Sequence, residues 1–269
     1  MPEVETVRQA LLPRLVGRAF THVTILPNNP KLVRQPSAAE FCRDLVGRRI
    51  EDVSRRGKYL LLPLSHGLTL IVHLRMTGAL LHRQPDDSPD PYTRAIFDLD
   101  DGTQLRYRDP RKLGNMWLLA DPAQVVGELG PDAMSEALTP AELYQRLERR
   151  AAPIKSALLN QEVVAGLGNI YADEALFLAG LRPTRPAKSL TPDEAERLHR
   201  AIAQALTKGM NYRGSSFRWF VDAQGQRGEH QHHAMVFRRT GQPCYRCGTP
   251  IQRVKLGGRS THFCPTCQP

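Results

Sequence analysis

The chain has 269 residues, 41% of them hydrophobic and 24% charged, and its 37 Lys and Arg outnumber 27 Asp and Glu to give a formal net charge of +10. This length suits one or two domains with a real core, no long apolar run suggests a membrane span, and the excess positive charge selects a polyanionic partner, nucleic acid first.

The first half reads mainly as strands. Apolar spacing predicts a helix over 5–15, and short segments of alternating or β-branched residues predict strands at 20–26, 49–53, 58–64, 68–75, 95–100 and 104–108. In Phe41-Cys42-Arg43-Asp44-Leu45-Val46 the cysteine is read as packing rather than chemistry. Proline and aspartate density makes 84–92 a loop, and Asp100-Asp101-Gly102 is a hairpin signal. Pro122, Gly127 and Gly130 make 121–131 a link to a helical half.

That half opens on Thr139-Pro140-Ala141-Glu142, where Thr139 can cap, Pro140 fits the first turn and Glu142 can complete a capping box. Thr191-Pro192-Asp193-Glu194 repeats the signal before a helix running to about residue 208, with Leu198, Ile202 and Leu206 on one stripe. Between them, helices over 154–160 and 170–179 flank a glycine-bearing turn in which Gly168 and Asn169 sit at a helix N-terminus. Such a turn either allows close packing or receives phosphate, and Asn169 with the nearby Lys155 favours phosphate. Basic clusters recur where turns are expected, at Arg55-Arg56-Gly57-Lys58, from Arg106 to Lys112 and at Arg149-Arg150, as on a binding face.

Cys244, Cys247, Cys264 and Cys267 form a C-x2-C-x16-C-x2-C array. Two thiolate pairs on tight turns suit one tetrahedral, structural Zn2+; two disulfides need an oxidising compartment, for which no secretory pattern at the start of the chain speaks. His230, His232 and His233 cluster without a carboxylate at ligand spacing and are read as no second metal site.

Taken together, Pro2-Glu3-Val4-Glu5-Thr6, Arg56-Gly57-Lys58-Tyr59-Leu60, His73-Leu74-Arg75-Met76-Thr77-Gly78, Asp109-Pro110-Arg111-Lys112, the run from Gly166 to Glu174 and Gly258-Arg259-Ser260-Thr261 resemble the formamidopyrimidine-DNA glycosylase family over nearly the whole length. The resemblance implies an α+β fold. An N-terminal β-sandwich with an N-terminal helix would occupy 1–120, a linker 121–131, a helix-two-turn-helix domain with a lesion lid 132–230, and a C4 zinc finger 231–269. It implies a monomeric, bacterial cytoplasmic, nucleoid-associated enzyme of base excision repair. The partner is damaged double-stranded DNA, from which oxidised purines such as 8-oxoguanine and formamidopyrimidines are removed before strand cleavage by β,δ-elimination.

The implied catalytic set is Pro2, Glu3, Lys58 and Arg259. Removal of Met1 would leave Pro2 as a secondary amine, and an α-amino pKa of about 7.7–8.0 gives an appreciable neutral fraction near pH 7. Glu3 would move protons, Lys58 would contact phosphate and assist proton transfer, and Arg259 would clamp phosphates bidentately. The implied DNA-contacting set is Met76, Tyr92, Arg111, Leu113, Arg150, Lys155 and Asn169. Of these, Met76, Arg111 and Leu113 match the residues that fill the hole left by an extruded base.

Several positions depart from the family pattern: Leu113 replaces the usual phenylalanine, Tyr92 a common histidine, Asn160 an aspartate, and Phe237-Arg238 the usual Tyr-Gly, while Trp219 stands in the lid. Family members open Pro-Glu-Leu-Pro-Glu-Val-Glu-Thr, whereas this chain passes from Met1 straight to Pro-Glu-Val-Glu-Thr, which suggests a start site assigned three residues late. Two alternatives stay open: a glycosylase for oxidised pyrimidines, and a lesion-binding protein without catalysis.

Overall fold

The computed structural model describes residues 1–88 and 90–269 and contains two compact units, one formed by 2–127 with 213–229, the other by Met1, 128–212 and 230–269. The loop expected over 84–92 includes Pro89, which lies outside the described residues. Although chain order places 213–229 beside the helical half, it clusters with the N-terminal unit.

The N-terminal unit opens with helix α1 (Pro2–Leu15), which starts three residues earlier than the apolar spacing predicts because a proline in the first turn needs no amide partner. Val4, Val7, Leu11 and Leu15 form its buried face. Strands β1 (Phe20–Ile25), β2 (Val33–Gln35), β3 (Ser54–Arg56), β4 (Tyr59–Leu64), β5 (Leu68–His73), β6 (Ala79–Arg83), β7 (Thr93–Leu99), β8 (Gln104–Arg108) and β9 (Asn115–Leu119) follow, with helix α2 (Ala38–Leu45) after β2. They make a four-stranded sheet in the order β1-β7-β8-β6 and a five-stranded sheet in the order β2-β9-β5-β4-β3. Phe97, Leu105 and Tyr107 from the first sheet and Leu60, Leu62, Val72 and Met116 from the second share one core, so the pair is a sandwich.

Several elements differ from the sequence expectation for local reasons. The strand expected over 49–53 is reduced to isolated bridges at Arg49 and Ile50, and β3 starts only at Ser54. β5 stops at His73, two residues early, because Arg75 takes φ +54 and turns the chain out of the sheet. Ser37 and Glu40 build a full capping box on α2, whose apolar positions were too few to reveal a helix beforehand. The hairpin signal at Asp100-Asp101-Gly102 matches the structure: Gly102 takes φ +82, and the Asp101 carboxylate accepts from the Thr103 amide at 3.0 Å.

The other unit contains α4 (Pro140–Leu147), α5 (Ile154–Leu159), α6 (Asn169–Ala179) and α7 (Pro192–Asn211), preceded in the chain by the short α3 (Ala123–Val126) of the N-terminal unit. Thr139 caps α4, but Glu142 does not close a capping box, because its carboxylate binds Arg146 one turn on at 2.6 Å. Thr191 and Glu194 do form the box on α7, and Leu198, Ile202 and Leu206 are all buried. The chain ends in a hairpin of β10 (Gln252–Leu256) and β11 (Arg259–Phe263), joined by Gly257 and Gly258 at φ +51 and +77. Two successive positive φ angles are what a two-residue turn matching the strand twist requires. Among the described residues no helix is long and apolar enough to cross a membrane.

Candidate nucleic-acid interface and metal centre

In the N-terminal unit, two loops carry exposed apolar and basic side chains together. The loop after β5 presents Met76, which is 64% exposed, and the loop before β9 presents Arg111 and Leu113, the latter 37% exposed. Exposed Met and Leu on adjoining loops have lost contact with the core and suit insertion into another apolar medium. His73 supports the first loop: its Nδ1 accepts from the Arg75 amide at 2.9 Å, and its ring meets Tyr59 edge-on at 4.5 Å. Burial, with the charges of Arg75 and Lys58, pushes this imidazole down to about 3, so it is neutral around pH 7.

Lys58 sits, partly exposed, in the turn between β3 and β4. Glu5 shapes that turn from α1: its carboxylate takes Arg8 at 2.7 Å and Arg55 at 3.1 Å, and Arg55 in turn donates to the Gly57 carbonyl at 3.1 Å. Burial opposes ionisation of Glu5, but the two arginines hold it below the usual carboxylate range. Pro2 is buried as the first residue of α1, and the Glu3 carboxylate accepts from the Ser215 amide at 3.1 Å.

Ser215 belongs to the segment 213–229, which overlaps the stretch 212–228 expected from the resemblance to be the lesion lid. Gly228 closes its neck by donating to Ser216 Oγ at 2.8 Å, and a Cβ there would fall 2.3 Å from the Arg213 carbonyl oxygen. Trp219 stands edge-on to Tyr92 at 6.4 Å, with the Arg108 guanidinium 5.5 Å from the Tyr92 ring and 5.8 Å from Trp219. Half-exposed rings alternating with a cation can receive nucleobases or sugar-phosphate.

In the helical unit, the glycine-bearing turn is held by Gln161, whose Oε1 accepts from the Gly166 amide at 3.0 Å and whose Nε2 donates to the Leu167 carbonyl at 3.1 Å. Met1 packs on this turn, with its sulfur 3.0 Å from where a Gly166 Cβ would stand. Gly168 is the N-cap of α6, and Asn169 Nδ2 donates to the Ser260 carbonyl at 3.2 Å. The same carbonyl receives Lys155 Nζ at 2.8 Å. Lys155 is only 1% exposed and pairs with Asp173 at 2.7 Å, so its ammonium is turned to the β10–β11 hairpin rather than to solvent. Burial pulls Lys155 below the ordinary lysine range; Asp173 opposes this, while nearby Arg259 adds to it. Asp173 also takes the amide and Nδ1 of His262 at 2.9 and 3.0 Å. Arg259, exposed on the first residue of β11, is therefore carried by a strand pinned at Ser260, Thr261 and His262. Arg150 is exposed just past the end of α4.

Among the described residues, Cys244, Cys247, Cys264 and Cys267 form a cluster whose sulfurs lie within 4.8 Å of one another. The closest pairs, Cys247–Cys264 at 3.5 Å and Cys244–Cys267 at 3.9 Å, are too long for disulfides and right for the edges of a metal-centred tetrahedron. The amides of Arg246 and Cys267 point at the sulfurs of Cys244 and Cys264 at 3.4 Å each, as ligated thiolates require. Hydrogen bonds from Thr249 pull Cys247 down to about 6, whereas burial and neighbouring sulfurs push Cys267 up to about 12. A divalent cation resolves that conflict by stabilising all four thiolates. Upstream, Glu174 is buried and takes the amides of Met235, Val236 and Phe237 at 2.7–3.0 Å, which fixes the approach to the finger. His230 is buried against Tyr171 at 5.1 Å, and His233 stacks on Tyr212 at 3.7 Å.

Neither the Asp173–Lys155–His262 cluster nor the Glu174 anchor was found from the sequence, since their partners lie tens of residues away and no local spacing signals them.

Comparison with known proteins agrees across the chain. Residues 1–116 match the family model described as the formamidopyrimidine-DNA glycosylase N-terminal domain, 129–221 the formamidopyrimidine-DNA glycosylase H2TH domain, and 241–269 the zinc finger found in FPG and IleRS. A formamidopyrimidine-DNA glycosylase of Pelotomaculum thermopropionicum is 46% identical over 272 residues, covering 100% of this chain and 98% of that protein. Among solved structures, a complex of Lactococcus lactis Fpg with abasic-site DNA is similar with a TM-score of 0.92 at 36% identity, covering 100% of this chain and 98% of that one. The MutM (Fpg) protein of Thermus thermophilus is similar with a TM-score of 0.89 at 40% identity, again covering 100% and 98%.

Proposed function

The chain belongs to the formamidopyrimidine-DNA glycosylase family, and from that premise we propose how its residues divide the work of a base-excision-repair glycosylase and AP lyase acting on oxidised purines in duplex DNA. The observation that carries the assignment is the exposed Arg259 at the head of a strand pinned by Lys155, Asn169 and Asp173. A guanidinium held at one place can bind two phosphate oxygens at once, whereas a mobile one loses rotamer entropy on binding. Zn2+, held by Cys244, Cys247, Cys264 and Cys267, supplies the structural tie that keeps β10 and β11 folded.

Met76, Arg111 and Leu113 occupy the space vacated by the extruded nucleotide, while Tyr92 and Arg150 contact the flanking backbone. Pro2, once Met1 is removed, is the amine that attacks C1′ of the damaged nucleotide. The new C–N bond forms as the bond to the base breaks, and the base leaves with a proton. The attacking nitrogen loses its proton, the C1′–O4′ bond then breaks as O4′ takes a proton, and the sugar opens to an iminium between Pro2 and C1′; this withdraws electrons, so loss of a C2′ proton expels the 3′ phosphate, and a second elimination expels the 5′ phosphate. Glu3 relays protons to the opening sugar, and Lys58 binds phosphate and assists the transfer.

Borohydride trapping on a duplex carrying 8-oxoguanine opposite cytosine tests this division. The expected result is a covalent complex whose adduct maps by peptide mass to Pro2, with Arg259→Ala losing about a hundredfold in kcat/KM. An adduct on another residue overturns the assignment of Pro2; base release unchanged in Arg259→Ala overturns that of Arg259.

A further inference from the structure

Asp109 is fully buried, and among the described residues no ion pair reaches its carboxylate; backbone and hydroxyl donors surround it instead. Oδ1 accepts from the Thr77 hydroxyl and from the Arg111 amide at 3.2 Å, and Oδ2 from the amides of Leu113 and Gly114 at 2.7 and 2.8 Å and the Tyr107 hydroxyl at 3.3 Å. Thr77 lies on the loop of Met76, whereas Arg111, Leu113 and Gly114 make up the other loop. One carboxylate therefore joins the two loops that bear the exposed apolar side chains.

Packing reinforces the bond. A Cβ on Gly78 would fall 2.4 Å from the Tyr107 hydroxyl oxygen, and a Cβ on Gly114 would fall 1.5 Å from the same atom. Both loops are thus pressed against one phenol from opposite ends of the brace, with no room for a methyl group at either contact. Each loop also holds a non-glycine residue in the left-handed region, Arg75 at φ +54 and Lys112 at φ +55. Such conformations are strained for residues with a side chain and persist only where surrounding bonds dictate them. Here the dictating bonds are those to Asp109, together with the His73 contact to the Arg75 amide.

We propose that Asp109, seconded by Tyr107, is the positioning residue of the DNA-opening step, presetting the loops that deliver Met76, Arg111 and Leu113 as one rigid wedge. This rests on the reading of those three side chains given under Proposed function. The benefit is entropic: side chains inserted into a stacked duplex recover little if their loops must first be ordered, and a brace built at folding removes that cost from the binding step. Among the described residues, Thr77 is the one member of the first loop that bonds the carboxylate, so its hydroxyl is the point at which the two loops can be uncoupled with the least disturbance to either.

The test uses the full-length, zinc-loaded protein and a duplex with a tetrahydrofuran abasic analogue next to 2-aminopurine, whose fluorescence rises when its stacking is broken. The wild type is expected to bind with a rise at saturation. Asp109→Asn, which sets an N–H against at least one amide donor of the second loop whichever way it turns, and Thr77→Val, which removes only the bond between loops, are expected to lose most of that rise. Thr77→Val should also bind about fivefold more weakly, the loss of one hydrogen bond, and Thr77→Ser should match the wild type. The saturated amplitude distinguishes positioning from bulk stability, because a merely destabilised protein still opens the duplex fully once bound. A full rise in Thr77→Val overturns the proposal, and this variant decides alone if Asp109→Asn does not fold. A wild type that binds without a rise also overturns it. A wild type that does not prefer the abasic duplex over an undamaged one overturns the functional reading itself, and the proposal with it.

Discussion

The two surfaces that present the candidate DNA contacts are stabilised by opposite means. In the N-terminal unit, the loops of Met76 and Leu113 are held by a buried carboxylate surrounded by neutral donors and by strained backbone, with the neutral His73 beneath. In the helical unit, the hairpin of Arg259 is held by charge and metal: a buried Lys155–Asp173 pair at one end and the four-cysteine cluster at the other. Insertion into a base stack needs apolar groups at fixed places, for which many short hydrogen bonds in a tight loop suffice. Gripping phosphate needs a guanidinium on an otherwise unsupported two-stranded ribbon, and a two-stranded ribbon is at best marginally stable in water without an external tie. Each means suits the role proposed for its surface.

Removing the metal has the largest expected effect. Structural zinc contributes on the order of 10 kcal/mol to the domains it organises. Chelation, or Cys264→Ser, is expected to unprotect the amides of 252–263 in hydrogen exchange and to abolish duplex binding, while the amides of Leu113 and Gly114 stay protected. Loss of protection in both places would mean that the two surfaces are not independently supported.

Next in size is the buried ion pair. Lys155→Met leaves Asp173 buried with only His262, and should destabilise the protein by about 3–5 kcal/mol in denaturant unfolding. Adding Asp173→Asn should recover much of that loss, because the amide oxygen can still accept from the His262 amide without carrying a charge. If the double variant regains stability but not DNA affinity, the pair's role is to place Arg259.

The effect that probes the other surface is that of pH, and over the single unit from about 6.5 to about 5.5 it is the smallest of the three. His73 has a folded value near 3 against an ordinary 6.5, so between those values the unfolded chain binds the extra proton. Its contribution is present in full above about 6.5 and is lost as pH falls toward 3, at a slope of at most about 1.4 kcal/mol per pH unit. His73→Asn, whose Oδ1 can replace Nδ1 as acceptor for the Arg75 amide, should flatten the fall in thermal midpoint between pH 7 and pH 4. Equal falls in the two proteins would show that His73 is not the group being titrated.

Much of the site was legible beforehand because it is written in short contiguous patterns. Cysteine spacing, turn residues and capping residues each act over a few residues, where chain geometry leaves few alternatives, so the four ligands, the Asp100-Asp101-Gly102 hairpin turn and the start of α7 follow from local chemistry. Where a second, nonlocal partner competes, the local signal fails. Glu142 is set for a capping box and bonds Arg146 instead. Lys155 stands beside a phosphate-like turn, yet its ammonium is claimed by Asp173 and the Ser260 carbonyl.

By itself, then, the sequence determined the strand-rich first half, the helical second half, the metal ligands and the family resemblance, because spacing and residue type carry those. The tertiary structure alone decided that Asp109 reaches back to Thr77, that Lys155 crosses to the hairpin, that Glu174 gathers three amides and that residues 213–229 join the N-terminal unit. Each of these depends on a buried polar group finding its partner across tens of residues. The cost of leaving such a group unpaired fixes the pairing, but only the folded chain reveals which groups come within reach.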